Sequence, residues 1–451
     1  MSATSRVISS KKSTNIRVWV FIIAVWIFTL EYAIYVVTDD LSDKLIKVCA
    51  FVFVILFARY RRKSMTRLEK VLILLFYLLF LFALVPSLLA GDWIGVGQWL
   101  KLVFMSMILP ILIFCYHLLR EREGLLVSTY ITVAVIFSIQ AAVAFFGVYW
   151  GVFDKSNIVE IGRYSNMPEV SFGLWGYGNA IQTPIAGVTV LRSQGWFLEP
   201  SLFASFLLLP AFVSAGRFWQ YRKKIYLFSA IIIFFALLTT VSLAGYIAVI
   251  AGVIFLFLSK PFYHWLRKIA LIKYSYPILI FGIFLMGASF LLYLGHSANE
   301  VDTNDVTDEQ AVIAKMYRRD PDGPSGNLMR EGYKLDEYIS LIASNPLGIG
   351  FSTTASSNEI QSGNALIFWA VSGGVPAIVL ITVFFVHIFF AFCHPLLISG
   401  NAISRCLAAS FIGHAIHNLS YGNWLAPYFL IHLALVVMYA KNCKINHLRH
   451  N

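Results

Sequence analysis

The sequence predicts an all-α, polytopic integral membrane protein. It reads as a single membrane domain over residues 1–451, with about twelve transmembrane helices and two long external loops, 151–198 and 295–363. Three observations carry this. Hydrophobic residues make up 59% of the chain and charged residues 13%, with a mean hydropathy of +0.75. Soluble domains hold roughly a quarter charged residues. Apolar runs of the length that crosses a bilayer, roughly 17–25 residues, recur along the whole chain. Lys and Arg gather in short clusters between alternate runs, as cytoplasmic loops require.

Taken in order, Lys11, Lys12 and Arg17 precede the first run, 18–37. That run is long and lacks a small-residue cleavage site, so it reads as a first span and not as a cleaved leader. Further spans are expected at 44–58, 71–90, 102–119 and 125–150. After the first long loop come 199–216, 225–239, 242–259 and 277–294, and after the second come 364–393, 405–421 and 424–440. The break inside 225–259 is weak (Thr239-Thr240-Val241-Ser242), and a single helix there would invert everything after it. With both termini cytoplasmic, 24 of the 35 Lys and Arg fall on the inner side. The clusters include Arg59 to Lys70, Arg217 to Lys224 and Lys260 to Lys273. The same placement assigns the net charge of +12 to membrane topology, so nucleic acid is not an expected partner. Cys49, Cys115, Cys393, Cys406 and Cys443 all fall in spans or on the inner side, so no external disulfide is expected.

The two loops hold most of the external charge. Residues 151–198 carry Asp154, Lys155, Glu160, Arg163, Glu169 and Arg192 among Gly173, Gly176 and Gly178. Residues 295–363 begin acidic and then predict a helix from about 327 to 344. Leu328, Leu335, Tyr338, Ile339 and Ile342 fall near helical spacing there, a face suited to the membrane surface. Asn345-Pro346 ends that helix and Gly348-Ile349-Gly350 makes a turn. Asp320-Pro321-Asp322 fits an Asp-x-Asp metal pattern, but Pro-Asp-Gly is turn chemistry, and no metal or cofactor is expected. Glu31 reads as a snorkelling or paired group near a span end. Trp175, Tyr177 and Trp196 are external aromatics whose flat faces could stack on a bound molecule.

Chemistry concentrates at Arg192-Ser193-Gln194-Gly195-Trp196-Phe197-Leu198-Glu199-Pro200-Ser201-Leu202-Phe203-Ala204. Pro200 suits the first turn of a helix. Glu199 then sits where a helix N-terminus favours an anion. Charge at a water–lipid boundary is costly and reads by default as functional. A structural reading is an interfacial ion pair between Arg192 and Glu199. A second stretch places Arg330 before Asn345-Pro346-Leu347-Gly348-Ile349-Gly350-Phe351, followed by Asn364 at the start of a span that contains Gly373-Gly374. A third is Thr239-Thr240-Val241-Ser242-Leu243-Ala244-Gly245-Tyr246.

These three stretches resemble the signature of bacterial polysaccharide repeat-unit polymerases of the Wzy type, within the O-antigen ligase and polymerase superfamily. Many members carry Arg where this chain has Leu243. The resemblance implies an inner-membrane glycosyltransferase that acts on undecaprenyl-pyrophosphate-linked oligosaccharide at the external face. It implies inverting transfer, with Arg192 and Arg330 neutralising the pyrophosphate leaving group. Glu199 is then either the base for the acceptor hydroxyl or the residue that positions Arg192. Arg163, Trp196, Ser201, Asn364 and Tyr338 are the expected substrate contacts. The bilayer, a chain-length regulator and a flippase are the implied partners. The related ligases typically carry His before the Asn that opens the late span, and Gly363 stands there instead. His414 and His417, toward the outer end of a late span, could supply an imidazole, or simply bond locally. A transporter of lipid-linked sugar is the rival from another class. It would show charges inside spans and helices broken by Gly or Pro.

Overall fold

The computed structural model describes residues 19, 22–23, 65–114, 123–149, 159–160, 169–171, 177–185, 188–193, 197, 200–268, 335–351, 365–420 and 426–450. Helices make the packed body. In chain order they are α1 (Arg67–Leu89), α2 (Trp93–Ser106), α3 (Ile108–Phe114) and α4 (Glu123–Tyr149), then α5 (Pro200–Tyr221), α6 (Lys224–Thr239) and α7 (Leu243–Lys268). They continue with α8 (Leu335–Ser344), α9 (Ala365–Ile388), α10 (His394–Ser399), α11 (Ala402–Ser420) and α12 (Pro427–His450). Each predicted span that falls on described residues is helical; 18–37, 44–58 and 277–294 lie outside them apart from isolated positions. Among the described residues, five helical stretches are long and apolar enough to cross a membrane.

The outer surface has the character of a lipid-facing one. Leu74, Leu81 and Leu88 of α1, Ile225, Phe228, Ile231 and Leu238 of α6, and Ile250, Ile254 and Phe257 of α7 are exposed at helical spacing. Water would penalise each of these rows. Polar side chains such as Ser205, His414, Asn418 and His432 are instead buried. The centre is α5, α11 and α12. Where α7 crosses α11, small residues let the backbones touch: a Cβ on Gly413 would lie 2.3 Å from the Ala248 carbonyl oxygen. Close approach at small residues is how helices associate when the surroundings are as apolar as the helices themselves.

The weak break inside 225–259 is a true boundary. α6 stops at Thr239, Val241 takes a positive φ of 46°, and Ser242 caps α7 by accepting the Gly245 N–H at 3.2 Å. A serine N-cap satisfies a donor that the first turn leaves open. α9 runs through a π-helical turn, Phe389–Cys393, into α10. Pro395 follows that turn and supplies no N–H, which suits the irregular hydrogen bonding just before it.

The sequence reading placed a plain loop at 151–198. The structure adds a small antiparallel meander there, β1 (Val159–Glu160), β2 (Glu169–Ser171), β3 (Tyr177–Ile185) and β4 (Val188–Ser193), in sheet order 1-2-3-4. Ile185 pairs with Val188. β-branched residues alternate through Ile181, Thr183 and Ile185, a pattern that fits a pleated surface.

Contacts near helix ends sort the bundle into two levels. At one level Lys441 of α12 bonds Glu69 of α1 at 2.9 Å, and His387 of α9 meets the Leu68 carbonyl at 3.0 Å. Arg217 near the end of α5 donates to Ser128 and to the Gly124 carbonyl at the start of α4. At the other level the starts of α5 and α7 meet, and Phe197 and Phe206 pack on Tyr428 at the start of α12. The Gly350–Phe351 stretch reaches Ser87 near the end of α1, on the same level.

The Glu69–Lys441 pair is enclosed, with side chains 3% and 19% exposed. Glu69 also closes a capping box with Thr66. Removing one charge from such a pair strands the other. Glu69→Leu or Lys441→Met alone is expected to cost about 3–5 kcal/mol of stability, and the double variant to recover most of it. Thermal midpoints of the purified variants check this; equal losses in single and double variants would contradict it.

Candidate functional site

The first and third sequence motifs meet where α5 and α7 begin. Pro200 starts α5, and Ser201 in its first turn accepts a hydrogen bond from the Ser242 hydroxyl at 3.3 Å. One turn on, a Cβ on Gly245 would lie 2.8 Å from the Ala204 Cβ, so a residue without a side chain lets the two helices close. Phe197, three residues before Pro200, is driven into the core. It stacks on Phe203 at 5.4 Å and meets Phe206 at 5.0 Å and Phe137 at 6.1 Å. That anchor places Phe197 in the core between the end of β4 and the start of α5. The main chain of Arg192 lies in β4, which packs beside α4 and α6. Leu243 is exposed.

The two halves of the second motif meet as well. α9 is broken at Gly374, whose φ of 66° and ψ of −158° no other residue adopts cheaply. The break frees main-chain groups, and Asn345–Phe351 takes them up. The Ile349 N–H donates to the Val371 carbonyl at 2.9 Å, the Gly350 N–H to the Ser372 carbonyl at 3.0 Å, and the Val375 N–H to the Pro346 carbonyl at 2.9 Å. The Phe351 N–H donates to the Ser87 hydroxyl at 3.2 Å. A segment after α8 is thus stitched into the opened helix, which satisfies backbone groups that an apolar interior would leave costly. α8 is held on the same side: Tyr338, 3% exposed, packs with Ile367 and Val371 of α9. The apolar face expected to lie on the membrane surface is therefore spent, in part, on α9.

Beneath the start of α5 runs a buried polar row across three helices. Ser205 Oγ lies 2.6 Å from His414 Nε2, His414 Nδ1 lies 3.1 Å from His432 Nδ1, and His432 Nε2 lies 3.0 Å from Ser410 Oγ. The donors follow by elimination. The Ser410 hydroxyl donates to the Leu407 carbonyl at 2.9 Å, so its oxygen accepts from His432 Nε2–H, which also faces that carbonyl at 3.3 Å. Neutral His432 then accepts at Nδ1 from His414 Nδ1–H. His414 Nε2 is left to accept from the Ser205 hydroxyl. The row uses every nitrogen of both rings and fixes the rotation of α11 against α5 and α12.

One turn outward on α11, Asn418 is 0% exposed and neither Nδ2 nor Oδ1 has a hydrogen bond among the described residues. A buried, unpaired amide of this kind costs about 1–3 kcal/mol. Its neighbour His417 lies against the Ser201 main chain. Sequence reasoning weighed His414 and His417 but missed Ser205, His432 and Asn418. The available signal was the spacing of Ser201 and Ser205, and of Ser410, His414 and Asn418, each four residues apart inside apolar runs.

Of the residues singled out from sequence, Ser201 and Tyr338 are described in full and Arg192 and Tyr177 by their main chain. Glu199, Arg330, Arg163, Trp196, Asn364, Gly363, Trp175, Glu31, Asp320 and Asp322 lie outside the described residues. Both motif junctions lie on one level of the bundle. The class this defines is a helical protein built for an apolar surround, with its sequence signatures gathered at one end. No protein-family model matches the chain, and no curated protein or solved structure is significantly similar to it.

Proposed function

We propose that this chain polymerises undecaprenyl-pyrophosphate-linked oligosaccharide repeat units at the external face of a bacterial inner membrane, with both termini cytoplasmic. The observation that carries the reading is convergence. The stretches 192–204, 239–246 and 345–374, resembling one polymerase signature, collect at a single end of the bundle. In this reading the acceptor hydroxyl attacks the anomeric carbon of the donor glycan with inversion. The bond from that carbon to the pyrophosphate oxygen breaks, and the lipid diphosphate leaves with the electron pair. Arg192 and Arg330 meet its charge with fixed, planar donors. Glu199 takes the acceptor proton or orients Arg192. Arg163, Trp196, Ser201, Asn364 and Tyr338 belong to the substrate surround, and a chain-length regulator and a flippase are its working partners.

The broken α9 favours a second reading, because transporters use discontinuous helices to bind cargo. Here the freed groups are occupied by the chain's own Asn345–Phe351, so the polymerase reading ranks first. Proteoliposomes holding only this protein and lipid-linked single repeats separate the two. Growth of glycan chains with no ion gradient is expected. Movement of repeats across the bilayer without chain growth would establish transport. Transfer only to added lipid A core would establish a ligase.

A further inference from the structure

We infer that the turn between α5 and α6 holds the headgroup of an anionic phospholipid, whose acyl chains run along the exposed row of α6. This rests on the membrane reading alone and is independent of the polymerase reading. Arg222 and Lys223 join the two helices, and Lys224 opens α6; all three are exposed. From Pro200 to Asn299 the chain carries no Asp or Glu, so neither helix supplies a countercharge. Arg222 takes a left-handed φ of 56°, and its N–H closes α5 on the Phe218 carbonyl at 2.8 Å. Glycine fills such a helix-ending position most cheaply. The turn thus keeps a cation there at a cost in backbone strain. Lys223 gives α6 no side-chain cap, and the first-turn N–H groups of a helix add positive potential.

What lies beside the cations selects a lipid over a soluble anion. Trp219 and Tyr221, in the last turn of α5, are about half exposed, as aromatic side chains are at headgroup depth. The Tyr221 ring lies 6.1 Å from that of Tyr226, and the Arg217 guanidinium lies 5.5 Å from the Tyr226 ring. Arg217 is fixed in turn by the Ser128 hydroxyl and the Gly124 carbonyl, so the aromatic pair is tied to α4. Beyond Lys224, an exposed apolar row begins at Ile225 and continues through Phe228 and Ile231. Charge, aromatic ring and apolar row match a lipid's phosphate, glycerol region and acyl chains. Inorganic phosphate or an acidic peptide would meet only the charge. A zwitterionic lipid brings its own cation, which the three basic residues repel, so the site favours a headgroup of net negative charge.

The test uses the full chain purified in detergent. Phosphatidylglycerol or phosphatidylcholine with the same acyl chains is added as mixed micelles, and inorganic phosphate serves as the soluble control. Phosphatidylglycerol is expected to raise the melting temperature more than phosphatidylcholine does, and to remain bound in native mass spectrometry. The triple variant Arg222→Gln, Lys223→Gln, Lys224→Gln should lose that preference and bind phosphatidylglycerol at least about tenfold more weakly. Arg67→Gln with Lys70→Gln removes two other exposed cations, near the start of α1, and should keep the wild-type response. If the triple variant does not insert, Arg222→Gly serves. It removes one cation and relaxes the left-handed position, so it should fold at least as well and still bind phosphatidylglycerol more weakly. Equal protection by the two lipids, or a wild-type response in both turn variants, overturns the inference. An equal loss in the α1 variant would show diffuse attraction without a site and overturns it too. Protection by inorganic phosphate equal to that by phosphatidylglycerol would establish an anion site that takes no lipid.

Discussion

Arg192→Ala and Glu199→Ala are each expected to leave the protein inserted and folded while abolishing long-chain glycan. The argument starts from charge. A departing pyrophosphate concentrates negative charge on a few oxygens, and a guanidinium meets two of them at once. Fixed donors of this kind, aimed where charge develops, are worth roughly 10²–10³ in rate when one is removed. Arg192→Lys is expected to recover little, since an ammonium is a point charge without the fork. Stability should change little, because Phe197, between β4 and α5, is anchored in the core by its aromatic neighbours. Surface glycan on a gel, with membrane-extracted protein measured alongside, gives the readout. Normal chain lengths in either alanine variant would remove that residue from the mechanism.

Gly374→Ala is expected to be the most damaging single methyl in the described bundle. The residue holds φ at 66° with an extended ψ, and a Cβ there would sit 2.1 Å from the Pro346 carbonyl oxygen and 2.6 Å from the Gly348 N. Backbone strain of this type costs about 1–3 kcal/mol before any clash is counted. The clash falls on main-chain atoms, which cannot rotate away. Relief would separate Asn345–Phe351 from α9 and leave the Val371 and Ser372 carbonyls unmatched, for a combined loss of about 4 kcal/mol or more. Gly97→Ala is the control: that helical glycine has open space around it, and alanine improves helix propensity. Thermal unfolding of both variants in detergent tests the contrast. A Gly374→Ala protein that melts with the wild type would show that the opened helix is not held by this segment.

Among the described residues, helices were legible in the sequence because each apolar run carries its own signal. Even the faint boundary at Thr239–Ser242 could be seen, though only Val241 and the Ser242 cap show that it holds. The β meander was hidden by the weight that Gly173, Gly176 and Gly178 give to a loop reading; its strands are short, and alternation over so few residues is faint. The partnership between Asn345–Phe351 and Gly373-Gly374 was legible as two halves of a motif but not as a contact, since pairing across an intervening segment leaves no periodic trace. The histidines show the same limit. A lone His432 inside an apolar run carries no pattern by itself, and His414 gains meaning only when α5 and α12 stand beside it.

The lock between Glu69 and Lys441 has a consequence for biogenesis. α12 emerges from the ribosome after every other described helix, yet it ends as one of the most enclosed, with Tyr428 to Ala440 all buried. Until it arrives, Phe411 and the imidazole of His414 on α11 face an unfilled slot, and Glu69 waits without its cation. The first described helix and the last are therefore joined like the ends of a clasp, and a nascent chain halted before residue 427 would present an open seam to quality-control proteases.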